Sequence, residues 1–176
     1  MTLIPASEVP AAQLQAFFAR LPDGEQAFLK EDVRDPDTIA AWYRAGRARR
    51  EAAVDGTGTL VGVVSVTPEL GWSDHVGQLA LIVDPAHRGQ GIGRELAQAA
   101  LMQALELGLS KITVEVVADQ EPAVGMFRSL GFDPEALLRA HVRDRNGAFH
   151  DLIILAHSVE DNWQAFGTAG VLDELG

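Results

Sequence analysis

Residues Arg88 to Arg94 read Arg-Gly-Gln-Gly-Ile-Gly-Arg, with glycines at 89, 91 and 93 and a cation at each end. An apolar run, Val76 to Val83, leads in, and a helical pattern leads out. Backbone amides at a helix start point outward without partners, and the helix dipole adds partial positive charge. Glycines let such a backbone approach a ligand closely. The combination suits a phosphate group. The same glycines would also suit a tight turn with close helix–sheet packing. A dinucleotide fingerprint needs a further glycine at position 94, where Arg94 stands. Glu115 lies near the spacing of the ribose-binding acid, but it falls mid-strand, and that role belongs at a strand end. No Gly-Lys-Ser or Gly-Lys-Thr of a nucleotide-triphosphate loop occurs, and no Gly-x-Ser-x-Gly elbow. The five histidines show no metal-binding spacing, and the lack of cysteine excludes disulfides and thiolate chemistry.

The elements that position this loop follow from periodicity. Residues 10–21 place Leu14, Phe17, Phe18 and Leu21 on one helical face. Residues 35–50 read as a second helix, with Asp35 as N-cap and Pro36 at the first helical position. Arg44, Arg47, Arg49 and Arg50 then decorate its end as solvated charges or as phosphate contacts. Strands are expected at 52–54, 59–67, 76–83 and 111–118, the third buried on both faces because it is almost continuously apolar. Residues 91–108 form a helix stopped by Gly108, with Leu96, Ala97, Ala100, Leu101, Ala104 and Leu105 inward. A shorter helix spans 121–132. Asn146-Gly147 turns a terminal hairpin. The order implies a mixed α/β domain on one central sheet.

Composition sets the boundaries. The 176 residues suit one domain, and 47% hydrophobic content supports a core. A net charge of -11 argues against nucleic acid and anionic membrane as partners and permits a cationic substrate such as an amine. No leader pattern or spanning segment is visible, which makes a cytoplasmic protein the expectation.

The stretch "VDPAHRGQGIGREL" resembles the acyl-CoA pyrophosphate loop of the GNAT superfamily, the acyl-CoA-dependent N-acyltransferases: Arg88, two residues, Gly91, one residue, Gly93. "DQEPAVGMFRSLGF" resembles the family's later motif, a helix ending in Gly-Phe. The resemblance covers residues 50–156 of a single 1–176 domain, with 157–176 a terminal segment. It implies a mostly antiparallel twisted sheet flanked by helices, with splayed strands in the middle. It implies acetyl-CoA as donor: backbone amides of Arg88, Gly89, Gln90, Gly91, Ile92, Gly93 and Arg94 on the pyrophosphate, and the backbone of Leu81, Ile82 and Val83 along the pantetheine arm.

Two departures from the family stand out. Gln120 and Phe127 occupy cofactor-side positions where relatives often carry Asn and Tyr. In relatives that tyrosine protonates the departing thiolate. Relatives often place a glutamate on the strand before the loop, where this chain offers Gly77 and Gln78. The substitute bases are His75 and Glu115, then Asp119, His150 and Asp151; Glu31 and Asp32 could attract the amine. The expected activity is direct acetyl transfer to a primary amine, on a small molecule first and on a protein lysine or N-terminus second. A monomer or homodimer is expected, and no metal. The alternatives are a non-catalytic acyl-CoA sensor and a dinucleotide-binding oxidoreductase.

Overall fold

The computed structural model describes residues 1–22, 32–33, 35–44, 46–144 and 146–159. Seven strands form one sheet in the order β1-β2-β3-β4-β5-β7-β6. They are β1 (Thr2–Pro5), β2 (Arg49–Val54), β3 (Leu60–Pro68), β4 (Val76–Val83), β5 (Lys111–Val117), β6 (Asp133–Arg143) and β7 (Phe149–Ser158). All neighbours are antiparallel except β4 and β5. The helices are α1 (Ala11–Ala19), α2 (Pro36–Ala41), α3 (Ile92–Glu106) and α4 (Glu121–Ser129).

The parallel pair decides the shape of the centre. β4 meets β5 only from Val76↔Lys111 to Leu79↔Val114. Beyond that point β4 continues along β3 as far as Val83↔Gly62, and β5 continues along β7 as far as Val117↔Leu152. The two strands therefore part midway, and each keeps one unpaired edge facing the other. This is the expected splay.

Two cores hold the sheet. One joins α3 and α4 to Val64, Val66, Leu79, Ile112, Val114 and Leu155. The other packs Leu14, Phe17, Phe18 and Ile39 on Ala52, Leu60 and Val63, with Ile82 at its margin. Strand alternation follows from this: Leu79, Leu81 and Val83 face α3, while Gln78, Ala80 and Ile82 face the α1–α2 side. α3 ends as predicted. Gly108, at φ +69°, lets its own amide reach Leu105 O and the Leu109 amide reach Ala104 O at 3.0 and 2.9 Å.

Several expectations change. The helix read over 35–50 stops at Ala41, because β2 begins at Arg49 and claims two of the arginines for the sheet. Asp35 does cap it, accepting from Asp37 N at 3.0 Å. Arg50 stacks on Trp42 at 4.8 Å, and Arg47 donates to Pro68 O, so these cations have local partners. β1 has no counterpart in the sequence reading; four residues ending in proline carry too little periodicity to register, yet they pair with β2 along their length. β4 is not buried on both faces. Gly77 and Leu79 are, but Ala80 is exposed and Leu81 to Val83 are half-buried.

Candidate active site

The mouth of the splay is built around Asp84, which directly follows β4. The residue is 3% exposed. Oδ1 accepts from Ala86 N at 2.9 Å, and Oδ2 accepts from Arg20 Nε at 2.6 Å. Arg20 also donates to Leu60 O at 2.8 Å, tying α1 to both strands. Burial pushes the Asp84 carboxyl up, but the Ala86 amide and the Arg20 guanidinium outweigh it and hold it below the usual carboxylate value. This anchor fixes where the loop leaves the sheet. The Asp-Pro pair was legible only as part of the motif; the Asx-capped turn it makes was the missed signal.

From there the chain turns through a 3-10 segment, Pro85–His87, into an exposed run, Arg88 to Gly91. Gly91 is the N-cap of α3 at φ +86°, and a Cβ there would meet nothing within 4 Å. The first intrahelical bond runs from Glu95 N to Gly91 O at 3.1 Å. The amides of Ile92, Gly93 and Arg94 therefore have no acceptor inside the helix. A 15-residue helix thus presents three outward amides and the positive end of its dipole beside the open edge of β4. The residues fit a pyrophosphate.

Close packing sets this helix start low over the sheet. At Gly62 a Cβ would lie 2.7 Å from Leu96 Cδ1 and 3.2 Å from Ile82 O. At Gly93 it would lie 3.1 Å from Met126 Sδ and 3.6 Å from Val83 Cγ2. Gly93 thus works through packing as well as through its amide. The Ile92 side chain is buried in the core, so only its backbone is available. Arg94 donates to Ser129 Oγ at 2.9 Å, and Ser129 donates to Met126 O at 2.7 Å, joining α3 to α4. Gln120 is the N-cap of α4 at the far end of β5, half-buried, with no side-chain cap bond.

The crotch of the splay holds a polar pair. Glu115 is the first β5 residue beyond the β4 ladder, and Gln78 Nε2 donates to its Oε1 at 3.1 Å. Both lie on the face away from α3, because Val114, Val116 and Leu79 belong to the α3 core. Glu115 also pairs in register with Ile154 of β7. Of the two residues that β4 offers for the family glutamate, Gln78 lies at the crotch and Gly77 has no room for a side chain: a Cβ there would lie 2.6 Å from Leu109 Cδ1 and 3.1 Å from Val66 Cγ1.

The other candidates are dispersed. His75 is exposed before β4, with Nδ1 4.0 Å from Asp74 Oδ1. It lies at the paired end, about 16 Å along the strand from Ala80. His150 sits between Asp119 Oδ2 at 2.9 Å and Asp144 Oδ2 at 3.3 Å. The Asp119 and Asp144 carboxylates hold its imidazole above the usual histidine value. Asp144 also caps the hairpin turn through Asn146 N and Ala148 N, and Asp151 Oδ1 accepts from Ala140 N at 2.7 Å. These groups brace the hairpin. Asp32 is exposed, its carbonyl accepting from Asp35 N, and Glu31 lies outside the described residues. Phe127 is 3% exposed and packs edge-on against Phe132 at 5.2 Å. Among the described residues, no group of three or more His, Asp or Glu could hold a metal ion, and no helix is long and apolar enough to cross a membrane.

Comparison with known proteins agrees with this geometry. Residues 12–132, more than half of the chain, match the acetyltransferase (GNAT) family. A mycothiol acetyltransferase of Frankia alni is 37% identical over 110 residues, covering 59% of this chain and 32% of that protein. The match thus spans about a third of that relative's length. Streptothricin acetyltransferase of Streptomyces lavendulae is 34% identical over 85 residues, covering 48% of this chain and 44% of the relative. The fold is shared with yncA of Salmonella typhimurium, solved with its cofactor acetyl-CoA, at a TM-score of 0.75 and 20% identity, over 90% of this chain and 94% of that one. The dinucleotide reading falls with these findings, since the sheet is mostly antiparallel and Glu115 sits mid-strand beside Gln78. The chain belongs to the GNAT acetyltransferase family.

Proposed function

We propose that this chain transfers an acetyl group from acetyl-CoA directly to a primary amine while both are bound. The observation that carries the reading is the splay: outward amides at its mouth, an unpaired strand edge along it and a carboxylate at its crotch. The pyrophosphate meets the amides of residues 88–94. The pantetheine amides replace the missing ladder partners of β4 along Leu81 to Val83, and Gln120 faces the arm from the start of α4, beyond the end of β5. The thioester then reaches the region of Gln78 and Glu115.

The two sides of the sheet divide the work. The donor enters from the α3 side, and the amine approaches Glu115 from the α1–α2 side. An alkylammonium, with a pKa of about 10.4, must lose a proton before it attacks. Glu115 accepts that proton, directly or through one water. The amine nitrogen bonds to the acyl carbon, and the carbon–sulfur bond breaks. The nitrogen sheds its second proton to solvent as the amide forms, and the departing thiolate, with a pKa of about 8.5, takes one from solvent, so one proton is released overall. Phe127 offers no hydroxyl, and its ring is buried in the core. Alignment and carbonyl polarisation supply the remaining rate.

The acceptor is a small-molecule amine, with a protein lysine or N-terminus second. Thiol release from acetyl-CoA across a panel of polyamines, amino sugars and peptides tests this. Amine-dependent release is expected, and Glu115→Gln should lower kcat about 100-fold while leaving donor affinity unchanged. Phe127 favours one second reading, a donor-binding sensor. Donor binding without turnover on any amine would establish that reading and overturn the enzymatic one.

A further inference from the structure

Arg88 reaches back along the loop it heads. Its Nε and Nη2 donate to the carbonyl of Val83 at 3.3 and 3.2 Å. The next amide, Asp84 N, points the other way, to Val61 O of β3 at 2.9 Å. The Val83 carbonyl and the Asp84 N–H belong to one trans peptide and point in opposite directions, so the carbonyl faces the edge that β5 has left. It is a ladder acceptor on the very edge where an incoming amide N–H would dock. Arg88 therefore competes with the donor arm for one oxygen.

The competition has a direction. A neutral carbonyl is the weaker partner for a guanidinium, and a pyrophosphate, charged and able to accept two parallel bonds, is the stronger. Arg88 stands immediately before the exposed amides that would receive that pyrophosphate. An arriving phosphate can draw the guanidinium off Val83 and so complete the β4 edge for the amide that follows. A pantetheine thioester without phosphates has nothing to offer Arg88 in exchange, and must displace it unaided.

We propose that Arg88 is a specificity-determining residue that masks the Val83 carbonyl and releases it to donors carrying a pyrophosphate, selecting against truncated pantetheine thioesters. The proposal rests on the reading of this loop as the donor's pyrophosphate site and adds the exchange of partners to it.

Two ligands test it without knowledge of the acceptor. CoA and pantetheine are titrated into the full chain and into Arg88→Met, following the backbone amides of Leu81 and Val83 by NMR. In Arg88→Met, CoA should bind about 30-fold more weakly, having lost a charge-assisted contact. Pantetheine should bind about fivefold more tightly, because a ladder acceptor has been uncovered. The opposite signs are the signature. A pantetheine affinity that is unchanged, weakened or undetectable in both proteins overturns the masking role, with Arg88 then a phosphate contact or a loop brace. If the unmodified chain fails to bind CoA at all, the donor-site reading itself falls, and the masking role with it.

Discussion

The two halves of β4 are made of similar residues and do opposite things. From Val76 to Leu79 the strand has neighbours on both edges, β3 and β5, and packs so closely that Gly77 has no room for a Cβ. From Ala80 to Val83 it has only β3, Ala80 is exposed and the carbonyl of Val83 turns to a side chain, Arg88. The first half is core, and the second is a template waiting for a strand partner. A continuous apolar run does not distinguish them, because a strand edge left open in the fold carries the same kind of side chains as one covered by protein. The glycines separate the halves better. Gly89 and Gly91, in the loop beyond the open half, have left-handed backbone and free space where a Cβ would stand, whereas Gly77 in the closed half is pinned by neighbours.

The largest contrast should come from the loop. Gly91→Glu places a carboxylate where the helix start would receive a phosphate, so attraction becomes repulsion. CoA affinity should fall at least about 1,000-fold, from lost amide contacts and added like charge. A Cβ meets no neighbour there, and the cost of a side chain at φ +86° is about 1–2 kcal/mol. Calorimetric titration and thermal melting measure the two effects separately. Retained CoA binding in a folded variant would place the donor elsewhere.

That contrast also marks what the sequence discloses. The loop, its strand and its helix were legible because each obeys a local rule: outward amides, glycine conformations, a 3.6-residue apolar stripe. The inward residues Leu96, Ala97, Ala100 and Ala104 are all at 0% exposure. The splay was legible only through family resemblance, since no local pattern says that two parallel strands stop pairing after four residues. The catalytic candidates needed the register. Glu115 is mid-strand by its pattern, and it is the β4–β5 register that brings it beside Gln78. His75 looked favourable by sequence proximity to the strand, but it adjoins the wrong end. Arg49 and Arg50 were misread because a helical stripe at Ile39, Trp42 and Tyr43 continues smoothly into a strand with no breaker other than Gly46.

In the closed half, Gly77→Ala should act on stability instead of binding. The added Cβ would sit 2.6 Å from Leu109 Cδ1 and 3.1 Å from Val66 Cγ1, in a core where both side chains are buried. Leu109 can turn aside, Val66 much less so. Urea unfolding should show a loss of about 2 kcal/mol. CoA affinity should stay within about threefold, because the proposed donor site lies along the other half. A donor affinity that fell with stability would show that the two halves move as one and would blur the division.

The smallest effect tests what holds the open half straight without β5. Asp84 is the one buried carboxylate among the described residues, and it ties the end of β4 to Arg20 and to the turn at Ala86. Asp84→Asn keeps the shape and removes the charge, so at neutral pH it should cost about 1 kcal/mol. The sign with pH follows from the shift. Its carboxyl is held below the ordinary value, so its contribution is complete above the unfolded pKa and disappears as pH falls through the lower, folded one. The unfolding curves of the native chain and of Asp84→Asn should therefore lie apart at neutral pH and converge as pH falls below the ordinary carboxylate range. Hydrogen exchange should localise the difference to Val83, Asp84 and Ala86, leaving Val76 to Leu79 unchanged. A gap that persists undiminished into acid would mean that Asn disturbs the packing and that the Asp84 charge does not hold the strand end.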